Sequence, residues 1–119
     1  MERQADSKIV NLEYLNLVCG GSEEMVSELI DLFLEQTPPE IEKMCECVEK
    51  EDWDALNSAA HKTKSSTNIL GIEQIKEEIQ SIEIWAAERK NLDLIPALIQ
   101  KVKLVCDQAY KELNEIHYQ

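Results

Sequence analysis

His61 stands in a stretch where polar residues recur at helical spacing: Asn57, His61, Lys64, Ser65 and Asn68. With Leu56 placed at zero and about 100° turned per residue, Lys64 falls near 80°, Asn57 near 100°, Asn68 near 120°, His61 near 140° and Ser65 near 180°. Trp53, Leu56, Ala60, Thr63, Thr67 and Leu70 lie within about 60° of zero and form an apolar stripe. The imidazole is therefore turned away from the core, with Lys64 and Ser65 as its neighbours one turn on. Such a face offers an outward nucleophile or base beside a cation. On spacing alone, a solvated surface histidine without a role fits it as well. Lys62, near 240° by the same count of about 100° per residue, reads as a solvated lysine.

The elements that must hold this face are helical throughout. Asn11 to Val18 forms a short helix stopped by Gly20-Gly21. Ser22 caps the next helix, with Glu23 and Glu24 in its positive first turn and Val26, Leu29, Ile30 and Phe33 as its stripe. Thr37-Pro38-Pro39-Glu40 reads as punctuation: Thr37 as a cap, Pro38 at the first helical position, Glu40 closing a capping box. The helix predicted to start there buries Ile41, Met44, Cys45 and Val48 and turns Cys47 outward. Asp52 caps the helix that bears His61, which runs to about Leu70 and ends on Gly71 and Ile72. Ile75, Ile79, Ile82, Trp85 and Ala86 mark a further helix that frays near Lys90-Asn91. Asp93 caps the last, whose stripe runs from Ile95 through Leu98, Ile99, Val102, Val105 and Cys106 to Leu113. Short connections make neighbours antiparallel. The expected fold is an all-α, up-down four-helix bundle with one or two short extra N-terminal helices. Residues 1–8 read as a polar leader and 9–119 as the bundle domain.

Composition narrows the function. The 119 residues hold 24 acids against 12 lysines and arginines, a formal charge of −12. A phosphate-backbone binder needs clustered cations, and an anionic membrane surface would repel this chain. Three glycines and three prolines are too few for a many-stranded sandwich, and none of the glycines forms a nucleotide cradle. No apolar run reaches the roughly 18 residues a membrane span requires. The four cysteines include no C-x-x-C, and Cys45 and Cys47 point to different sides of one helix. No metal site or cofactor is expected. His117, near the C-terminus, reads as incidental.

Ala60-His61-Lys62-Thr63-Lys64-Ser65-Ser66, followed by Leu70-Gly71-Ile72, resembles the signature of the histidine-containing phosphotransfer (HPt) domain family, roughly Ala-His-x-Leu-Lys-Gly-Ser-x-x-x-x-Leu-Gly-Ala. Leu32-Phe33-Leu34-Glu35-Gln36-Thr37-Pro38 looks like the end of the family's second helix. Asp52-Trp53-Asp54-Ala55-Leu56 looks like the start of its histidine helix, and Ile82-Glu83 like the Leu-Glu that follows the signature. The likeness spans roughly residues 10 to 115. Two positions depart from it. Thr63 replaces the usual Leu but keeps the core face. Ser65 replaces a glycine, which removes a mid-helix penalty of roughly 1 kcal/mol while adding a small side chain near His61.

The resemblance implies a phosphocarrier in a multistep His-Asp two-component phosphorelay. His61 would be the phosphoryl acceptor, exchanging the group with an aspartate of a response-regulator receiver domain. Lys64 would neutralise charge, and Ser65 and Asn68 could donate hydrogen bonds to phosphoryl oxygens. Receiver domains, and in some arrangements a hybrid histidine kinase, are the implied partners, with Mg²⁺ expected in the receiver. His61 is followed by Lys62 rather than the acidic residue of a sensor-kinase helix, so no ATP-dependent kinase activity is expected. The chain is expected to be a cytoplasmic monomer without nucleic-acid or membrane partners. The alternative is a non-catalytic helical adaptor that binds a receiver or another partner without phosphoryl transfer. A metal or thiol enzyme would need Cys and His to converge, which helical spacing does not supply.

Overall fold

A computed structural model describes residues 9–117, the side chains of 116 and 117 excepted; the predicted leader over 1–8 lies outside the described residues. The described chain is helical without strands: α1 (Leu12–Val18), α2 (Glu23–Glu49), α3 (Trp53–Ile69), α4 (Lys76–Glu88), a 3-10 turn (Leu92–Leu94) and α5 (Ile95–His117). Helices α2 to α5 close a four-membered ring, α2 on α3, α3 on α4, α4 on α5 and α5 back on α2, with α1 laid across α2 and α3. The connections are short, so successive helices run antiparallel. This is the predicted bundle with one short N-terminal helix. Its long axis of 43 Å is essentially the length of α2, since 27 residues at about 1.5 Å each span about 40 Å.

Most predicted boundaries follow from local chemistry. The side chains of Asn11, Ser22 and Asp52 accept from the backbone N–H three residues on, at 3.0, 3.2 and 3.2 Å, as N-caps do. Helix α3 ends in a Schellman arrangement. Gly71 N–H donates to Asn68 O at 3.1 Å and Ile72 N–H to Thr67 O at 3.0 Å. Gly71 has φ +68°, and a Cβ there would lie 2.6 Å from the Asn11 Cβ. The close approach exists because Asn11 N–H donates to Leu70 O at 2.9 Å, which ties α1 to the end of α3. Any side chain at 71 would thus be opposed both by backbone conformation and by contact.

Helix α2 corrects the predicted break. Thr37-Pro38-Pro39-Glu40 does not start a helix but lies inside one continuous helix of 27 residues. The reason is the buried stripe Ile30, Phe33, Thr37, Ile41, Met44 and Cys47, which keeps spacings of three and four straight through the prolines. Burial along one 40 Å face outweighs the two hydrogen bonds that Pro38 and Pro39 cannot donate. Thr37 is therefore a core residue at 1% exposure, not a cap. The same phase reverses the cysteines: Cys47 is buried and Cys45 only half-buried. All four cysteines are free thiols. A second correction concerns Asp93, which sits within the 3-10 turn ahead of α5 rather than capping that helix.

Candidate functional site

Helix α3 presents its stripe as expected. Leu56, Ala59, Ala60, Thr63 and Thr67 are buried against the other helices. The two threonine hydroxyls that face inward donate to backbone carbonyls of their own helix, Thr63 to Ala59 at 3.0 Å and Thr67 to Lys64 at 3.2 Å. The opposite face carries His61, whose side chain is 60% exposed. The small Ala59 and Ala60 let neighbouring helices approach closely, so the backbone under the imidazole is rigidly held.

What the imidazole touches was not foreseen. His61 Nδ1 lies 2.8 Å from Glu83 Oε2, on α4. Lys64 Nζ lies 2.7 Å from the other carboxylate oxygen, Oε1, in an ion pair whose alignment falls short of a hydrogen bond. Asn57 Nδ2 donates to the Glu83 carbonyl at 2.7 Å. Three residues of one α3 face, spaced four and three apart, thus grip a single residue of α4 by both its backbone and its side chain. Glu83 is 17% exposed. Burial alone would push its carboxyl upward, but the contacts from Lys64 and His61 outweigh that and hold it below the ordinary value of 4.5. An ionised carboxylate can only accept, so Nδ1 is the nitrogen that carries a proton, and in the neutral imidazole the lone pair then sits on Nε2, the ring nitrogen away from Glu83.

The remaining predicted residues separate. Ser65 is exposed and lines, with His61, an open groove of about 630 Å³ between α3 and α2. Asn68 is exposed on nearly the same azimuth as His61 but lies two turns further along, where it lines a separate polar hollow with Asn11, Tyr14, Glu73 and Lys76. Lys62, 64% exposed, reaches across the groove to Glu40 on α2, 3.9 Å away. Lys64 does not stand free to meet an incoming charge, because Glu83 holds it. The side chain of His117 lies outside the described residues. Among the described residues no three His, Cys, Asp or Glu side chains gather as a metal site, and no described helix is long and apolar enough to cross a membrane.

Glu83 enters the sequence analysis only through the likeness of Ile82-Glu83 to the family's Leu-Glu, with no role assigned and no contact with His61 expected. The available signal lay on α3: Asn57, His61 and Lys64 crowd one side of the helix, all three can donate hydrogen bonds, and a shared acceptor on the neighbouring helix would satisfy them.

Comparison with known proteins bears on this geometry. The family model described as the Hpt domain matches residues 28–115. No curated protein sequence matches significantly. Among solved structures, the crystal structure of histidine-containing phosphotransfer protein B (HptB) from Pseudomonas aeruginosa PAO1 shares this fold, with a TM-score of 0.83. The match has 18% sequence identity over 94% of this chain and 96% of that one. At that identity the likeness is one of fold.

Proposed function

The chain belongs to the Hpt domain family, the phosphocarriers of histidine phosphorelays, and from that premise we propose that His61 is its phosphoryl carrier, exchanging the group with an aspartate of a receiver domain. The Nε2 lone pair attacks the phosphorus of an aspartyl phosphate. The N–P bond forms as the P–O bond to the aspartate breaks, and the carboxylate leaves with its electron pair. The reverse step returns the group to a second aspartate. Any metal ion that the transferring phosphoryl group requires is expected in the receiver.

The observation that carries this reading is the Glu83 clamp. Contact at Nδ1 at 2.8 Å supports the Nδ1–H tautomer and restrains the ring, which leaves Nε2, on a side chain 60% exposed, as the nitrogen for attack. Once Nε2 is phosphorylated, the imidazole bears positive charge, and the Glu83 carboxylate at Nδ1 is placed to stabilise it. Lys64 acts through Glu83, by keeping that carboxylate ionised and oriented. Ser65, at the groove edge, is near enough in sequence and azimuth to reach a phosphoryl oxygen, whereas the position of Asn68 favours no such contact. A protein donor is supported by the apolar hollow further along the same α2–α3 surface, where Leu32 and Ile69 are 47% and 36% exposed beside Leu29 and Phe33.

The test is transfer from receiver domains charged with radiolabelled phosphate, to wild type and to His61→Gln. The expected result is acid-labile, alkali-stable label on wild type and none on the variant. Binding of a receiver with no label on folded wild type would overturn the carrier reading in favour of the adaptor.

A further inference from the structure

The groove beside His61 has a second wall, on α2, and its chemistry is one-sided. Thr37 lines it at 1% exposure, and its hydroxyl oxygen has no hydrogen-bond partner. Glu40 lines it too, with Oε1 enclosed and unpartnered and Oε2 only 3.9 Å from the loosely held Lys62. The carbonyl of Glu35 lacks its helical donor, because residue 39, which also lines the groove, is a proline and has no N–H. Glu35 and Gln36 complete this side. Acceptors and negative charge outnumber the donors here, which are the Gln36 amide and the Thr37 hydroxyl, and no cation belongs to this wall. Protein interiors rarely leave such atoms unmet, and an enclosed acceptor meets little competition from water. Lys62, 64% exposed, is the cation nearest to it on the opposite wall.

We propose that this wall receives a protonated lysine or arginine side chain of the docked receiver domain, held by Glu40 and Thr37, and that these two positioning residues set which receivers are accepted. The proposal rests on the carrier reading above, since it concerns how that donor docks. Lys62 is then an internal competitor, which must release Glu40 as the partner's cation arrives. A cation fits better than a neutral donor because the wall carries Glu35 and Glu40 on a chain of net charge −12.

The experiment compares two phosphodonors across Glu40→Gln, Lys62→Ala and Thr37→Val. The first donor is the receiver from a purified panel that charges wild type fastest. The second is phosphoramidate, which is too small to use a docking wall. With the receiver, Glu40→Gln should raise KM about tenfold and flatten its salt dependence, and Thr37→Val should raise KM about threefold. Lys62→Ala should lower KM about two- to threefold, the opposite sign, by removing the competitor. Rates with phosphoramidate should stay within about twofold of wild type throughout, which also reports that His61 and the fold are intact. Receiver KM values that do not move, or that move in the same direction for Glu40→Gln and Lys62→Ala, would overturn the docking wall and leave the carrier reading standing. Label from phosphoramidate on His61 with no transfer from any receiver would overturn the receiver reading itself, and the docking wall with it.

Discussion

The two walls of the groove differ in how completely their polar groups are met. On the α3–α4 side, Asn57, His61 and Lys64 all close on Glu83 within 2.8 Å. On the α2 side, the Thr37 hydroxyl and Glu40 Oε1 have no hydrogen-bond partner and the Glu35 carbonyl has lost its helical donor, whereas Glu83 Oε1, also without a hydrogen bond, still has the Lys64 ammonium 2.7 Å away. The difference separates two tasks. On the carrier reading, the imidazole must be held in one tautomer and one direction before substrate arrives, and the Glu83 carboxylate at Nδ1 does this in the free chain. A surface that recognises a partner gains by leaving groups to be satisfied on docking, at a cost in the stability of the free protein.

The contrast can be broken most directly by truncating one carboxylate on each wall. Glu83→Ala should slow phosphoryl transfer about 10- to 100-fold, as loss of a group that orients a reacting histidine does. It should also cost about 2 kcal/mol of stability, because Lys64 and the imidazole lose a partner that is largely buried. Glu40→Ala should cost less than about 1 kcal/mol, since its one ion pair is long and Lys62 is mostly solvated. Urea unfolding of both variants, with transfer from phosphoramidate alongside, measures the two together. Equal stability losses at Glu83 and Glu40 would mean that the walls are not differently built.

Acid sharpens the same contrast. The Glu83 carboxyl is held below its ordinary value of 4.5 in the folded chain. A lowered folded value means that its contribution to stability is fully present above the unfolded value and is lost as pH falls through the folded one. Glu78, held down by a 2.6 Å contact from Lys101 on α5, behaves the same way at a distance from the groove. Wild type should therefore lose stability below about pH 4.5, and Glu83→Gln and Glu78→Gln should each lose less over that interval. Only Glu83→Gln should also slow transfer at neutral pH. Denaturant midpoints from pH 6 to 3, paired with transfer rates, separate a carboxylate that serves the site from one that merely joins two helices.

How far all this was legible in the sequence follows from the range of the interactions. Caps at Ser22 and Asp52, the Schellman turn at Gly71 and the outward azimuth of His61 are decided within four residues, and each reads correctly from the chain, while Asn11, read as the first residue of its helix, is that helix's cap. The bundle follows because stripes of period 3.6 admit few other closures. The continuity of α2 was hidden by a local signal, Pro38-Pro39, that long-range burial overrides. The true phase was present in Ile30, Phe33, Thr37, Ile41 and Met44 had the stripe been carried across the prolines. Cys45 and Cys47 were exchanged for the same reason. Glu83 lies 22 residues from His61, and only the packing of α4 on α3 makes them neighbours.

The smallest expected effect gives the finest comparison. Thr37 and Thr63 are both 1% exposed, both line the groove, and belong to opposite walls. They differ in one respect: Thr63 donates to Ala59 O at 3.0 Å, and the Thr37 hydroxyl donates to nothing. Replacement by valine preserves size and branching and deletes the hydroxyl. At 37 it removes an unmet polar group and exchanges it for a methyl that prefers the core, so stability should rise by about 1 kcal/mol, or about 3 to 6 °C in Tm. At 63 it deletes a hydrogen bond whose carbonyl acceptor keeps its helical partner, so the methyl gain and the bond loss nearly cancel, within about 0.5 kcal/mol. The two Tm values, measured side by side, test the asymmetry of the walls without touching His61. A stabilised Thr63→Val beside an unchanged Thr37→Val would reverse it, and would mean that the free chain already satisfies the α2 wall.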